Sequence, residues 1–157
     1  MEVLLEFHIE TSILEAYMDD KVNSTIENQE VKKLSRKPFV LHIITRASWG
    51  GAQRYVYDIA TDGKEYIQAV ATESTGTLVD ELRNEGVTVY PLSYARRSIL
   101  PLHDILTLLD IIHLLKRVKP DIVHLHSSKM GVLGSIACRI LGVKKVVFTI
   151  HGWPHNE

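Results

Sequence analysis

The residue types best suited to chemistry lie in three short segments, and each segment follows an apolar, β-branched run. The segments are residues 46–54 (RASWGGAQR), 126–131 (HSSKMG) and 151–153 (HGW). Glycine lets a ligand approach the backbone, the first amides of a helix attract phosphate, and histidine exchanges protons near neutral pH. Together, the three segments suggest an anion site with a histidine beside it.

In the first segment, Gly50 and Gly51 precede a helical pattern. The free amides and the positive end of that helix would suit a phosphate group. Gln53 and Arg54 follow in the same turn and are further candidates for ligand contact. The glycine spacing matches neither the dinucleotide fingerprint nor a P-loop. A plain strand-to-helix turn therefore remains the alternative.

In the second segment, strand alternation puts His124 and His126 on one side, with His126 expected at the crevice and His124 deeper. Ser127 or Ser128 is expected to cap the next helix. Lys129 falls in its first turn, where a cation opposes the helix dipole and a bound anion would offset the conflict. The alternative is a solvated surface lysine beside a serine cap.

The third segment places His151 at the end of the last strand, where it could hydrogen-bond a substrate or transfer a proton. A histidine bonded to its own loop is the alternative. A metal site would need His124 and His126 plus His151 or His155. Buried strand histidines are usually hydrogen-bonded core, so no metal is expected. By the same reasoning, two further histidines are taken as structural, His42 and His113.

The elements that position these segments alternate regularly from residue 38 onward. Strands are predicted over residues 39–45, 66–71, 87–90, 121–126 and 145–150, and helices over 52–63, 77–86, 102–118 and 128–142. This alternation predicts an α/β fold, a Rossmann-like parallel sheet of order 3-2-1-4-5 with helices on both faces. The three segments then meet where strands one and four are neighbours.

Local signals refine two of these helices. Thr77 is expected to cap the second helix, which stops near Gly86. The longest helix is predicted from a stripe with a period near 3.6 residues, made of Leu102, Ile105, Leu106, Leu109, Ile112, Leu115 and Val118.

Composition limits the function classes. The 157 residues include 18 Lys and Arg against 19 Asp and Glu, which gives a net charge of −1 and no basic excess for nucleic acid. One cysteine excludes an internal disulfide. No secretory signal or membrane span is evident, so a cytoplasmic location is expected. Residues 1–37 have a different composition and are predicted to be a helical or partly disordered extension, and residues 38–157 one domain.

Four motifs, in this order, resemble the N-terminal domain of family 4 glycosyltransferases, with the closest likeness to bacterial enzymes of capsular and exopolysaccharide synthesis. They are residues 44–54 (ITRASWGGAQR), 97–104 (RSILPLHD), 120–134 (PDIVHLHSSKMGVLG) and 148–153 (FTIHGW). The resemblance implies one half of a GT-B fold. It also implies transfer of a sugar from a nucleotide-sugar, with retention of configuration and without a metal cofactor.

The same resemblance implies roles for individual residues. The pair Gly50–Gly51 would approach the donor diphosphate, and His151 would lie close to the transferred sugar. The domain mainly holds the acceptor, so the remaining candidates are assigned to acceptor or anion binding: Gln53, Arg54, His126, Ser127, Ser128 and Lys129. The acceptor would be a saccharide or, as is common in the resembling enzymes, lipid-linked, and a lipid-linked acceptor would place the whole enzyme at the inner face of the membrane.

The chain is expected to be incomplete at the C-terminal end of this domain and to lack the donor-binding domain, so the domain alone is expected to be inactive. One alternative is a non-catalytic subunit that completes a split glycosyltransferase with a separate donor-binding chain; a homo-oligomer is also open. Another is a flavodoxin-like binder of nucleotide or flavin. The missing Ser/Thr-rich loop after the first strand argues against that binder.

Overall fold

The computed structural model describes residues 36–96, 98 and 100–151. They belong almost entirely to the compact unit that begins at Pro38. The extension predicted over residues 1–37 lies outside the described residues, except for its last two. The elements are β1 Phe39–Ile43, α1 Gly51–Asp62, β2 Ile67–Thr72, α2 Thr77–Asn84, β3 Thr88–Pro91, α3 Pro101–Val118, β4 Ile122–His126, α4 Ser128–Ile140 and β5 Val146–Thr149.

The five strands form one parallel sheet in the order β3-β2-β1-β4-β5, which confirms the predicted order. β1 pairs with β2 on one side and with β4 on the other. The chain reverses direction across the sheet between β1 and β4, so the loops that leave their carboxyl ends open a crevice there. In this register His42 of β1 lies opposite His124 of β4.

Helices cover both faces of the sheet, which explains why its central strands are mostly apolar. Leu41 and Leu125 belong to the core beneath α3 and α4. Ile44 and Val70 belong to the core beneath α1 and α2. Because side chains alternate along a strand, His42 shares the face of Ile44 and points to the α1 side.

One predicted helix cap is wrong, and another is right in position but forms no side-chain cap bond. Gly76 occupies the N-cap of α2, and Thr77 is the first helical residue. Gly76 has φ +136, a value that glycine tolerates best, and a Cβ there would lie 2.8 Å from the Ala47 carbonyl oxygen. Ser127 occupies the N-cap of α4 without a side-chain cap bond, because its hydroxyl is used elsewhere.

The long helix α3 is confirmed, but only the C-terminal part of the predicted stripe faces the core, where Leu115 is buried and Ile112 and Val118 pack against it. Leu102, Ile105 and Leu109 are exposed. The buried residues of α3 are Thr107, Ile111, Leu114 and Leu115. Apolar residues occupy several faces of this helix, so periodicity alone could not select the one that packs. Within the described residues, no helix has the length and apolar character needed to cross a membrane.

Candidate active site

A pocket of about 570 Å³ lies at the carboxyl edge of the sheet, between the loops that follow β1 and β4. Residues from the loops after β1 and β4 and from α1, α3 and α4 line it: Ile44, Thr45, Arg46, Ala52, Gln53, Asp104, Ser127, Ser128, Lys129, Val132 and Leu133. Four predicted site residues are among them, Gln53, Ser127, Ser128 and Lys129. The two loops therefore converge as expected at the switch point of the sheet.

Direct contacts hold the two loops together. The Thr45 hydroxyl of the first loop lies 2.7 Å from the Ser127 hydroxyl of the second. Ser127 has φ +73, an uncommon backbone conformation for a residue with a side chain. On the α1 side, the Gln53 amide donates to the Arg46 carbonyl at 3.1 Å. These hydrogen bonds within the chain fix the polar rim of the pocket.

The glycine pair has no visible structural cause. Gly50 is extended, with φ −175 and ψ −179, a conformation open to any residue. A Cβ on Gly50 would meet only the flexible end of Gln53, and a Cβ on Gly51 would meet nothing within 4 Å. Both residues stand at the first turn of α1, directly before the pocket-lining Ala52. Their diphosphate role stays a prediction, and the fold supplies no competing reason for glycine.

Lys129 is neither solvated nor free. Its side chain is 12% exposed, and its ammonium group pairs with the Asp104 carboxylate at 2.5 Å. It also donates to the backbone carbonyls of Arg96 and Ser98, at 2.8 and 2.6 Å. Asp104 thus supplies the negative charge that a bound anion was expected to supply. An anion that binds Lys129 must replace one of these partners.

Arg54 also has a partner within the chain. Its guanidinium pairs with Asp58 at 2.9 Å, one turn further along α1, and both side chains are more than half exposed. Its guanidinium carbon lies 5.7 Å from the centre of the Tyr57 ring. Arg54 does not line the pocket, so its anion role stays a prediction.

The order of burial predicted for the strand histidines is reversed. His126 is 0% exposed, whereas His124 is only partly buried. The Tyr55 ring covers His126, with centroids 6.0 Å apart, and the His126 and His151 rings stack at 5.2 Å. His126 therefore lies behind His151 rather than at the crevice. In this arrangement it cannot touch a ligand directly.

His151 lies between the buried His126 and the carboxyl edge of the sheet. Its Nε2 lies 3.0 Å from Nδ1 of His126. The Tyr55 ring meets it edge-on at 5.1 Å. Burial lowers the pKa of His151, so the neutral ring is favoured at pH 7.

The histidines behind it are neutral as well. Burial, with smaller contributions from neighbouring histidines, lowers the pKa of His126 to about 2 and that of His124 to about 4. Burial also lowers the pKa of His42, although a hydrogen bond with Gln68 opposes the shift. A cluster of neutral imidazoles can accept and donate hydrogen bonds without carrying charge.

A metal site here would use different residues from those predicted. Ring nitrogens of His42, His124 and His126 lie within 4.8 Å of one another, and His42 had been read as structural. These nitrogens already have hydrogen-bond partners, which include Gln68 for His42 and Thr149 for His124. His155, named as a possible third ligand, lies outside the described residues.

Sequence reasoning missed three contributors to this region. Asp104 stood inside a quoted motif but received no role. Gln68, on β2, binds His42, and Tyr55 covers His126 and His151. An acid in the first turn of α3 was the only local signal for Asp104. For Gln68 and Tyr55 nothing local points to the histidines, since the pairing of β2 with β1 and the packing of α1 over the sheet bring them together.

The comparisons with known proteins agree with this architecture. The family described as glycosyl transferase 4-like matches residues 64–155, a stretch that contains the loops after β4 and β5. The chain belongs to the glycosyl transferase 4-like family. A curated relative is 34% identical over 130 residues, the UDP-Gal:alpha-D-GlcNAc-diphosphoundecaprenol alpha-1,3-galactosyltransferase of Escherichia coli. That match covers 81% of this chain and 33% of the relative.

Solved glycosyltransferases share the fold of this family member. A glycosyltransferase from Rickettsia africae aligns with TM-score 0.62 and 22% identity, over 78% of this chain and 32% of that one. MurG of Acinetobacter baumannii aligns with TM-score 0.58 and 17% identity, over 72% and 35%. The chain thus spans about a third of the length of these relatives. This extent fits the N-terminal domain of a GT-B glycosyltransferase.

Proposed function

We propose that the chain is the acceptor-side, N-terminal part of a retaining glycosyltransferase in cell-surface polysaccharide biosynthesis. Its reaction is the transfer of a sugar from a nucleotide-sugar to a lipid-linked acceptor. The observation that carries the proposal is the 34% identity to a galactosyltransferase whose name gives UDP-Gal as donor and a diphosphoundecaprenol-linked sugar as acceptor. The pocket between the two loops offers a place for the acceptor sugar.

The donor diphosphate is assigned to the glycine pair. Gly50 and Gly51 leave room at the first turn of α1, where a 12-residue helix presents free amides and the positive end of its dipole. These groups would stabilise charge on the departing nucleoside diphosphate as the sugar leaves. The proposal therefore needs no metal ion, and a chelator should leave the transfer rate unchanged.

The acceptor is assigned to the polar side of the pocket. The Gln53 amide and the Ser127 and Ser128 hydroxyls can exchange hydrogen bonds with sugar hydroxyls. Lys129 and Arg54 offer positive charge to a phosphate of the acceptor, at the cost of one existing contact each. A lipid-linked acceptor implies that the whole enzyme works in the cytoplasm at the inner face of the membrane.

His151 is assigned to the transferred sugar. A neutral imidazole supplies a hydrogen bond without placing a positive charge near the developing oxocarbenium ion. The hydrogen bond contributes most if it strengthens as the transition state forms. The role is therefore one of transition-state stabilisation, and it differs from simple donor binding.

Contacts to the nucleotide base and ribose are assigned to the donor-side half of the enzyme. The chain spans about a third of its relatives, so this half is either further polypeptide or a separate chain. We expect no turnover from residues 38–157 alone. A non-catalytic subunit of a split enzyme is the competing arrangement, and co-purification with a donor-binding chain would favour it.

Sugar transfer from radiolabelled UDP-galactose to a GlcNAc-diphospholipid tests the proposal. The assay compares this chain alone with the same chain joined to, or mixed with, its donor-side half. Product is expected only when both halves are present. Transfer by the isolated chain would overturn the proposal that both halves are needed for catalysis. Failure of the complete enzyme with every nucleotide-sugar and lipid acceptor offered would overturn the function itself.

Within that complete enzyme, His151→Ala should lower kcat roughly 100-fold, the usual cost of one transition-state hydrogen bond. Donor affinity should fall much less. His113→Ala, at an exposed position on α3, is the matched control and should leave both values unchanged. Equal losses of kcat and donor affinity would assign His151 to ground-state binding instead.

A further inference from the structure

A continuous row of hydrogen bonds runs beneath α1 and ends at His151. It starts at the Ile59 backbone carbonyl, which the Gln68 amide nitrogen contacts at 2.6 Å. Gln68 Oε1 lies 2.7 Å from His42 Nε2. His42 Nδ1 lies 3.3 Å from His126 Nε2, and His126 Nδ1 lies 3.0 Å from His151 Nε2. Each ring in the row uses one nitrogen toward each neighbour.

The row has a fixed direction because its first member can only accept. A backbone carbonyl has no proton, so Gln68 must turn its NH₂ group toward Ile59. Its oxygen then faces His42, and an amide oxygen also only accepts. His42 must therefore carry a proton on Nε2 and donate it to Gln68.

The proton position on each ring determines the proton position on the next ring. A neutral His42 with its proton on Nε2 has a lone pair on Nδ1, so His126 donates from Nε2. A neutral His126 with its proton on Nε2 has a lone pair on Nδ1, so His151 donates from Nε2. His151 is left with a lone pair on Nδ1. Among the residues that the structure describes, no group bonds to that nitrogen.

These proton positions require neutral rings, and the surroundings favour them. His42 and His126 are 3% and 0% exposed, so a charge on either ring would lose its hydration. The titratable groups that face the row are His124, whose ring lies 4.1 Å from His126, and Tyr55 above it. Neither is a carboxylate that could pair with an imidazolium.

We propose that Gln68, His42 and His126 are positioning residues that lock His151 in the tautomer with its proton on Nε2. His151 then presents Nδ1 as a hydrogen-bond acceptor to its ligand. The role of that ligand as a sugar hydroxyl rests on the proposed function, whereas the tautomer itself does not. A histidine that only filled space would need no such partners, and its two tautomers would interchange freely.

Nuclear magnetic resonance of the chain with ¹⁵N-labelled histidine tests the proposal without any activity assay. The expected His151 spectrum shows a protonated Nε2 and an unprotonated Nδ1 at pH 7. A proton on Nδ1, or an average of the two tautomers, would overturn the proposal. Because this measurement uses the unaltered protein, it does not depend on whether any variant folds.

Gln68→Met tests the origin of the lock, since methionine has similar length but neither accepts strongly nor donates. His151 should then show both tautomers, and a single tautomer would contradict the assigned origin. The matched control is Thr149→Val, which removes a hydroxyl 2.8 Å from His124, a ring beside the row but outside it. This control should leave the His151 tautomer unchanged.

In the complete enzyme, Gln68→Met should lower kcat roughly 10- to 100-fold with little change in KM, as for other partners that orient a functional histidine. An unchanged kcat would show that the fixed tautomer of His151 does not contribute to sugar transfer. The two experiments separate the two proposals. A single His151 tautomer without sugar transfer would overturn only the proposed function. Sugar transfer with a mixture of His151 tautomers would overturn only the proposed fixed tautomer.

Discussion

Two pairs of glycines in this domain stand in opposite surroundings. In the loop after β1, a Cβ on Gly51 would meet open space, and one on Gly50 only the end of a flexible side chain. In α4, a Cβ on Gly131 would lie 2.6 Å from the Phe148 ring, and one on Gly134 would lie 2.4 Å from Leu125. Packing thus explains why glycine is needed at the two positions in α4, whereas no contact within the described residues requires glycine at the two positions in the loop.

The charged side chains of the two regions differ in the same way. On α1, the Arg54–Asp58 pair is open to solvent, with side chains 62% and 51% exposed. At the start of α4, the Lys129–Asp104 pair is mostly covered, at 12% and 18%. The charged groups at the start of α1 are therefore accessible, and the segment after β4 is largely occupied by its own contacts.

The largest effect is expected from the glycines. Gly51→Val should lower sugar transfer by the complete enzyme roughly 100-fold, because the side chain would obstruct the diphosphate and its contacts with the α1 amides. Its unfolding free energy should change by less than about 0.5 kcal/mol. Gly131→Ala should instead lose about 1–3 kcal/mol of stability, since the added methyl group meets an aromatic ring.

Urea denaturation of both variants, alongside transfer assays, measures this difference. If Gly51→Val kept full activity, the diphosphate assignment would be lost. If Gly131→Ala were as stable as the parent, the contrast between a packed and an open pair would disappear.

An intermediate effect is expected from the ion pairs. Asp104→Asn should cost about 1–2 kcal/mol, because it leaves the Lys129 ammonium poorly compensated where little water reaches it. Asp58→Asn removes an exposed i,i+4 pair and should cost less than about 0.5 kcal/mol. Chemical denaturation at low and high salt is the measurement, and equal costs for the two variants would contradict the difference in burial.

The smallest effect at neutral pH is expected from His124, whose contribution to stability changes only in acid. The folded pKa of His124 is lowered to about 4, so the unfolded chain binds more protons below its ordinary value of 6.5. The contribution of His124 to the free energy of unfolding should therefore be fully present above pH 6.5 and decline as the pH falls toward 4. Below pH 4, His124 should cause no further loss of stability. The slope for one histidine is at most about 1.4 kcal/mol per pH unit, and partial exposure of His124 makes it smaller.

His124→Gln should flatten this decline, while His113→Gln, at an exposed position on α3, should not alter it. Denaturation curves at intervals between pH 7 and pH 4 compare the three proteins. Identical slopes for all three would show that His124 carries the same proton in the folded and unfolded chains.

Much of the fold followed from the sequence because its signals were local. Apolar β-branched runs set the strands, and turns with glycine or proline ended the helices, so the order 3-2-1-4-5 needed only the rules for parallel connections. Errors arose where local signals were ambiguous. Gly76 rather than Thr77 caps α2. On α3, Leu102 and Ile105 of the predicted stripe are exposed.

The site was predictable in outline and not in detail. Strand topology was sufficient to bring Gln53, Ser127 and Lys129 to one pocket. It could not show that Asp104 would take the charge of Lys129, because the depth of α3 over the loop depends on packing. Nor could alternation rank His124 and His126 by burial, since both lie on the same face of β4.

By itself, the sequence determined the parallel sheet, its strand order and membership of the glycosyl transferase 4-like family, because these depend on patterns within short stretches of chain. Only the tertiary structure decided which side chains touch. His42 and His126 are 84 residues apart, and Gln68 reaches His42 across 26 residues. Their pairing follows from the register between β2, β1 and β4 and from the cover of α1. Packing of the whole domain fixes that register, and no single segment encodes it.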